Sequence, residues 1–438
     1  MPQIKAFKYL PELRPAGPQF LLISIWLLTR LYHFIGYELF LATDSKDYLA
    51  AANALTFGAA NESGLGRSFL YVFILKFFSE KLLLLVGIQA ILSLYTALLL
   101  YKVIDRRVRK KLIPLAFSIA FLVYPLTGYL EGQILTETIS ACLILKFWES
   151  WERNCHNPTT KSSASTLTFA LLLTLHRPSF VIFIAAITLP SLVKRFNLTP
   201  SILVRMLFPV CVIVLFLTNL FFLGSFKSGN DAVRTGIAMH LVDVFPIDAE
   251  NSLISKEISL AEVSLKSANP SNRFWAIQKG TENFTSGNTE VPIESIRTEL
   301  WERTLVLLKQ YPLLFMQSVN KSLFSVFFDD AHAFKPGESY KDIPFRISTL
   351  LGFGIFNATF LGILLYSGFI FFLAFYRVSS YSRIDVVTLM ALPPCLLLHA
   401  VTSPIEQIRY SFPLLSIMFV MTASFIQKSS EFKVRASV

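Results

Sequence analysis

Apolar runs of roughly twenty residues, separated by small groups of lysines and arginines, recur along the chain and leave it few ways to fold. As a helix, a run of that length covers the roughly 30 Å hydrocarbon layer of a bilayer, where only helices and closed barrels can pair their own backbone groups. Composition agrees: charged residues are 16% of the 438, where soluble domains carry about 25%. Mean hydropathy is +0.55, and the 41 Phe suit a lipid-facing surface. The net charge of +11 sits in short basic clusters between apolar runs, as the positive-inside rule requires, so a nucleic-acid partner is not expected. Cys142, Cys155, Cys211 and Cys395 fall in apolar runs or on the side assigned to the cytoplasm, without metal-like spacing, which argues against a disulfide framework or a zinc site.

The first run, about Phe20 to Phe40, follows Lys5, Lys8 and Arg14 and is too long for a signal-peptide core, so it reads as a retained span leading outward. A loop from Leu41 to Arg67 follows, and Ser68 to Phe78 is too short to span. Read as half of a hairpin it would put Arg106 to Lys111 outside, against the charge rule; the interfacial reading is therefore taken. Further spans are expected at about Leu82–Val103, Leu112–Leu126, Ile134–Trp148, Thr166–Leu175, Phe180–Val193 and Leu203–Leu223. Thr127 to Gln133 is expected as an outer turn, and a polar inner loop runs to Ser165. Pro178 predicts a break at the outer tip of the fifth and sixth spans, because proline cannot continue a helix from within.

Gly224 to Phe345 shifts toward Asp, Glu, Ser, Asn and Lys. Within it, Ile293 to Gln310 has the spacing of an amphipathic helix, with Ile293, Ile296, Leu300 and Leu307 on one face beside Thr304. Tyr311-Pro312 interrupts it, and Leu313 to Phe328 reads as an aromatic segment at the membrane surface. Leu350–Phe375, Val386–Ala400 and Phe412–Ile426 complete about ten spans with both ends inside. The expectation is an all-α polytopic membrane protein. Its parts are a cytoplasmic N-terminus (1–19), an N-terminal membrane module (20–223) with a first outer loop (41–80), a long outer loop (224–346), a C-terminal membrane module (347–427) and a cytoplasmic tail (428–438). No internal repeat of the transporter kind is present.

In this topology Asp44, Asp47, Arg67, Glu131, Glu137, Arg177, Glu406 and Arg409 fall at or just below the outer face, with no comparable set at the midplane. Ion-coupled transport asks for carboxylates near the middle of the bilayer, whereas work on lipid-linked substrates asks for them near the headgroups. Plainer roles stand beside functional ones. Asp44 is a helix N-cap or a base, Asp47 a base or a solvated acid, and Arg67 and Arg409 ligands or anchors of span ends. His176 is a packed histidine or a site residue, Arg177 a loop arginine or a ligand, and Arg30 snorkels or pairs with a carboxylate.

In order, the stations are Arg30, then Asp44-Ser45-x-x-Tyr48, then Arg67-x-x-x-Tyr71 opening a short apolar run. Leu135-Thr136-Glu137-Thr138, His176-Arg177-Pro178 and Glu406-x-x-Arg409-Tyr410-x-x-Pro413 follow. The series resembles the GT-C superfamily of polytopic membrane glycosyltransferases, near the bacterial relatives of dolichyl-phosphate-mannose protein mannosyltransferases and of the lipid A aminoarabinose transferase. The resemblance spans the membrane part and leaves out Gly224 to Pro292. It implies a GT-C-like bundle whose first outer loop holds interfacial helices and whose first-loop acid, here Asp44, is the catalytic base, with Asp47 as second candidate. Many relatives carry two adjacent acids where Ser45 stands here, and a proline where Ser68 follows Arg67.

The function so implied is inverting transfer of a sugar from a polyprenyl-phosphate donor to an acceptor hydroxyl at the outer face. Tyr48, Arg67, Tyr71, Glu137, His176, Arg177, Glu406, Arg409 and Tyr410 would bind substrate. The acceptor is a glycan, lipid or protein. No spacing demands a metal or other cofactor, although a divalent cation is compatible with the chemistry. A bacterial inner membrane with the site facing the periplasm or exterior is the expected location. A polymerase or ligase of lipid-linked glycans, or a transporter or flippase, are the alternatives.

Overall fold

The computed structural model describes residues 17–36, 43–55, 69–134, 136–192, 200–218, 237, 240–241, 293–328, 383–402 and 412–436. Among these residues the regular structure is helical throughout, with no strand. The helices are α1 (Gly17–Gly36), α2 (Thr43–Ala54), α3 (Phe69–Phe78), α4 (Leu82–Asp105), α5 (Leu112–Val123), α6 (Pro125–Glu131), α7 (Glu137–His156) and α8 (Thr160–His176). Next come α9 (Val181–Thr188), α10 (Ile202–Arg205), α11 (Leu207–Thr218), α12 (Ile293–Gln310), α13 (Pro312–Phe328), α14 (Arg383–Thr402) and α15 (Leu415–Ala436).

One described helix, α4, is long and apolar enough by itself to cross a membrane. Its 24 residues give a length of about 36 Å at 1.5 Å per residue. Several of the expected spans are shorter helices, and the one at Leu350–Phe375 lies outside the described residues. On α4 polar residues are buried beside apolar ones such as Leu85, Val86, Leu99 and Leu100, while other large apolar side chains face outward. Gln89, Ser93 and Thr96 are fully buried at helical spacing, while Leu83 and Ile91 are 74% and 58% exposed. Exposed large apolar side chains also line α1, α5, α11 and α14, for example Phe20, Leu112, Ile213 and Met390.

The helices pack as one bundle around α4 and α7, with α5 against α1 and α4, α8 against α7, and α14 against α9. The break expected at Pro178 is present. Arg177 is extended (φ −150°, ψ 94°), as a residue before proline must be, and Pro178 opens a single 3-10 turn into α9. The arms α8 and α9 do not pack along each other as a hairpin; α11 lies against both. Asn154 fastens the other end of α8. Its amide donates to Ser162 and Ser163 at 3.0 and 2.9 Å, and its carbonyl accepts from the Ser201 amide at 3.0 Å.

Three boundaries differ from the hydropathy reading. The outer turn at Thr127–Gln133 is in large part α6, because Tyr124 is extended before Pro125, which then starts a new helix at a position where it lacks no needed donor. The inner loop before Ser165 shrinks to three residues, Asn157 to Thr159, because α7 continues to His156 and Thr159 caps α8 in a capping box with Ser162. The tail at 428–438 is not separate: α15 continues to Ala436. By contrast Ile293–Gln310 is the helix that its periodicity predicts, and Thr304 and Leu307 on its apolar face are buried.

Both extensions are explained by the ionic cluster they reach. Arg107 donates to Asp385 at 2.7 Å and to Ser424 at 3.2 Å, pairs with Glu152, and lies 4.7 Å over the Trp148 ring. Lys428 reaches the other Asp385 oxygen at 3.3 Å, Arg106 binds Glu149 at 2.9 Å, and the Arg109 amide donates to Gln427 at 3.1 Å. Burial pulls the Arg107 guanidinium down, but the charges of Asp385 and Glu152 outweigh it and hold its pKa above the ordinary arginine value. Polar side chains that end a hydropathy window thus keep the helix going, because partners wait on α4, α7 and α14. Asp385→Asn leaves Arg107 and Lys428 facing a neutral amide, and breaking a buried pair costs about 3–5 kcal/mol. Unfolding in detergent should register a loss of that order, against about 0.5 kcal/mol or less for the exposed Lys161→Ala.

Candidate functional site

At the opposite end of α4 and α7, about 25 Å away along α4 at 1.5 Å per residue, a second polar cluster is buried among apolar side chains. Its fixed point is Arg30. Nε donates to Glu131 Oε2 at 2.7 Å, Nη2 to Glu131 Oε1 and to Ser93 at 3.3 Å, and Nη1 to Thr29 and the Leu122 carbonyl at 2.8 Å each. Those are all five donors of the guanidinium. Arg30 therefore pairs with a carboxylate rather than snorkelling, and the pair ties α1 to α4, α5 and α6.

Gln89 extends the cluster. Its amide nitrogen donates to the carbonyls of Glu131 at 2.9 Å and Gln133 at 2.8 Å, and its oxygen accepts from the Tyr71 hydroxyl at 3.3 Å. The Tyr71 ring, fully buried on α3, meets Tyr48 of α2 edge-on at 5.1 Å and His176 of α8 edge-on at 5.5 Å. His176 Nε2 lies 3.0 Å from the Thr136 carbonyl, directly before α7. Glu137 opens α7 and is fully buried, with Arg177 Nη1 3.3 Å from its carboxylate. It is the first residue of that helix rather than a turn inside it. A carboxylate there also meets the positive end of the helix dipole. Because Arg177 leaves the α8 axis before Pro178, its side chain can turn back to Glu137 and pack over Phe180 at 5.7 Å.

Five residues singled out by the sequence, Tyr48, Tyr71, Glu137, His176 and Arg177, are thus joined at one end of the bundle. Asp44 and Asp47 both lie on α2. Ser45, Tyr48, Ala51 and Ala52 are its buried face. At about 100° per residue Asp44 stands about 50° from the centre of that face and Asp47 about 110°. Arg67, Glu406, Arg409 and Tyr410 lie outside the described residues. The chain re-enters the described structure at Phe412, whose ring stacks on Phe121 at 5.8 Å and on Tyr124 at 6.4 Å, beside the helix that carries Glu131.

Gln89 and Gln133 were not anticipated, being uncharged and outside every motif. The available signal was the polar stripe Gln89, Ser93, Thr96 recurring every three or four residues in an apolar helix. Among the described residues no three His, Cys, Asp or Glu side chains are grouped to hold a metal ion. The chain matches no family model and no curated protein.

Because Arg30 has no donor to spare, its bond to Glu131 is structural. Replacing either residue singly by Met should lower stability in detergent by about 3–5 kcal/mol. The double replacement should fall short of the summed losses by about 1–3 kcal/mol, the coupling of a direct pair.

Proposed function

We propose that the protein is an integral-membrane glycosyltransferase that moves a sugar from a polyprenyl-phosphate donor to an acceptor hydroxyl, with inversion, at the outer face of its membrane. The observation that carries this reading is the closure of Tyr48, Tyr71, Glu137, His176 and Arg177 into one buried cluster beside α2, the helix that bears Asp44. Two features support the membrane setting. On α4 Gln89, Ser93 and Thr96 are buried while Leu83, Leu84 and Ile91 are exposed, as lipid would favour, and the arginine- and lysine-rich pole lies at the other end, which the charge rule assigns to the cytoplasm. The polar cluster then faces the periplasm or exterior of a bacterial inner membrane.

The chemistry needs a base for the acceptor proton and a cation for the departing phosphate. In this reading the Asp44 carboxylate takes the proton of the acceptor hydroxyl as its oxygen attacks the anomeric carbon. The bond from that carbon to the phosphate oxygen breaks on the opposite side, and the electron pair leaves with the polyprenyl phosphate. Arg177, with Arg409 from the segment before α15, meets that charge; guanidinium is suited to it because its fork matches two phosphate oxygens. Glu137 holds Arg177 in place, and the acceptor is a glycan, lipid or protein.

The test is turnover of a panel of polyprenyl-phosphate sugars by purified protein in lipid. Asp44→Asn should lower turnover by about 10²-fold or more, the usual worth of a general base, with Asp47→Asn within about threefold of wild type. Loss confined to Asp47→Asn moves the base to that residue. A wild-type protein inactive on every donor and acceptor tried, or one whose Asp44→Asn form still carries the lipid across the bilayer, defeats the reading.

A further inference from the structure

At the pole opposite the candidate site, three cations share one buried carboxylate. Glu149 Oε1 accepts from Arg106 of α4 at 2.9 Å and from Arg153 of α7, while Lys146 reaches Oε2 at 3.5 Å. Two such bonds to one oxygen put the guanidinium nitrogens within about 6 Å of each other. Glu149 is sealed, its side chain 2% exposed, but the cations around it are open: Arg106 by 37% and Arg153 by 49%. Nearby acids do not restore the balance. Glu152 and Asp385 are engaged by Arg107 and Lys428, and Asp105 stands in a run with the exposed Lys102, Arg109, Lys110 and Lys111. The two forks of Arg106 and Arg153 therefore present spare donors and net positive charge to whatever lies outside them.

The rest of the α4 surface says what carries the matching anion. At about 100° per residue, Ile91, Tyr95, Lys102 and Arg106 fall within about 60° of the helix circumference. All four are exposed, Ile91 by 58% and Tyr95 by 42%. One stripe thus runs from aliphatic to aromatic to cationic. Lys146 of α7, which packs against α4, lies 5.1 Å over the Tyr95 ring and ties the aromatic to the cations. Ile91 stands about 16 Å from Lys102 along the axis, roughly the hydrocarbon depth of one leaflet. A free phosphate makes no use of the apolar half of this stripe, and a lipid without net charge makes little use of the cationic half.

We propose that the seam between α4 and α7 docks an anionic phospholipid of the leaflet at this pole, its phosphate at Arg106 and Arg153 beside Lys102 and its acyl chain along Tyr95 and Ile91. The inference rests on the membrane setting proposed above and not on sugar transfer. Basic pockets between spans on the cytoplasmic side are where such headgroups bind. The bound phosphate offsets the excess charge around Glu149 and bridges the ends of the two helices.

The experiment is native mass spectrometry of the full-length protein, delipidated in a neutral detergent and titrated with phosphatidylglycerol or with phosphatidylcholine of the same chain length. Wild type should bind the anionic lipid about tenfold more tightly or better. A cation beside an anionic headgroup contributes about fivefold. Lys102→Gln should therefore weaken phosphatidylglycerol by about that factor, and Arg106→Gln combined with Arg153→Gln by about twentyfold, with phosphatidylcholine unchanged. Lys161→Gln, which removes an exposed cation of the same pole off the stripe, should change neither. Equal wild-type affinity for the two lipids overturns the proposal. So does a loss in Lys161→Gln as large as that in Lys102→Gln, since the attraction is then diffuse surface charge. Glycerol phosphate that displaces the lipid at equal concentration, or bare polyprenyl phosphate held more tightly by the same cations, also overturns it. Lys102 is exposed, so its variant decides where the arginine pair does not fold. Sugar transfer is scored separately: an inactive protein that binds phosphatidylglycerol in this way upholds the docking, and an active one that does not overturns the docking alone.

Discussion

A full positive charge held away from water is the constraint on which the Arg30 end of this bundle depends. Arg30 lies in a helix whose neighbours are Leu27, Leu28 and Leu31, all exposed on the bundle surface. An unpaired guanidinium there costs more than any single apolar contact returns. The chain resolves this by giving every donor a partner, and that requirement places three other segments and the preceding residue of α1 itself. α6 must bring Glu131 back, α5 must end with the Leu122 carbonyl free, α4 must turn Ser93 inward, and Thr29 must face its neighbour. The Tyr124-Pro125 break follows as a geometric need, since a continuous helix from Leu112 would carry Glu131 away from Arg30.

The opposite pole repeats the solution with different elements. Arg107 is shared by Asp385 and Glu152 and roofs Trp148, and Trp148 in turn donates to Thr388 at 2.9 Å. One charged clamp therefore fixes α14 and α15 to α4 and α7 at one end, while Phe412 seats the start of the last helical segment on Phe121 and Tyr124 at the other. Between the clamps the buried contacts are largely apolar. Position along the helices is set at the poles.

Much of this was legible in the sequence, and the failures share a cause. Hydropathy located α4 to within two residues, and periodicity fixed Ile293–Gln310, because both signals come from the residues' own preference for an environment. The ends of α7 and α15 were read short because Glu149, Glu152, Gln427 and Lys428 look like loop residues until their partners are known. Charged site residues such as Glu137 and Arg177 stood out because charge is conspicuous in an apolar chain. Gln89 and Gln133 did not. A neutral amide carries little weight in any window average, and the importance of Gln89 lies in two hydrogen bonds to carbonyls distant in sequence, those of Glu131 and Gln133.

The two buried pairs at the Arg30 end of the bundle also differ in geometry and in the elements they join. Arg30 and Glu131 engage side-on through Nε and Nη2, one edge of the guanidinium, with one bond at 2.7 Å, inside the roughly 2.7–2.9 Å range of charge-assisted bonds. Arg177 and Glu137 approach only to 3.3 Å. The first pair is saturated and gains nothing from a ligand. The second meets at the start of α7, where the helix dipole adds to the stabilisation of the Glu137 carboxylate, and removing either partner would leave a buried charge behind. The Arg30 pair therefore fixes α1 to α4, α5 and α6, while the Arg177 pair fixes the end of α8 to the start of α7.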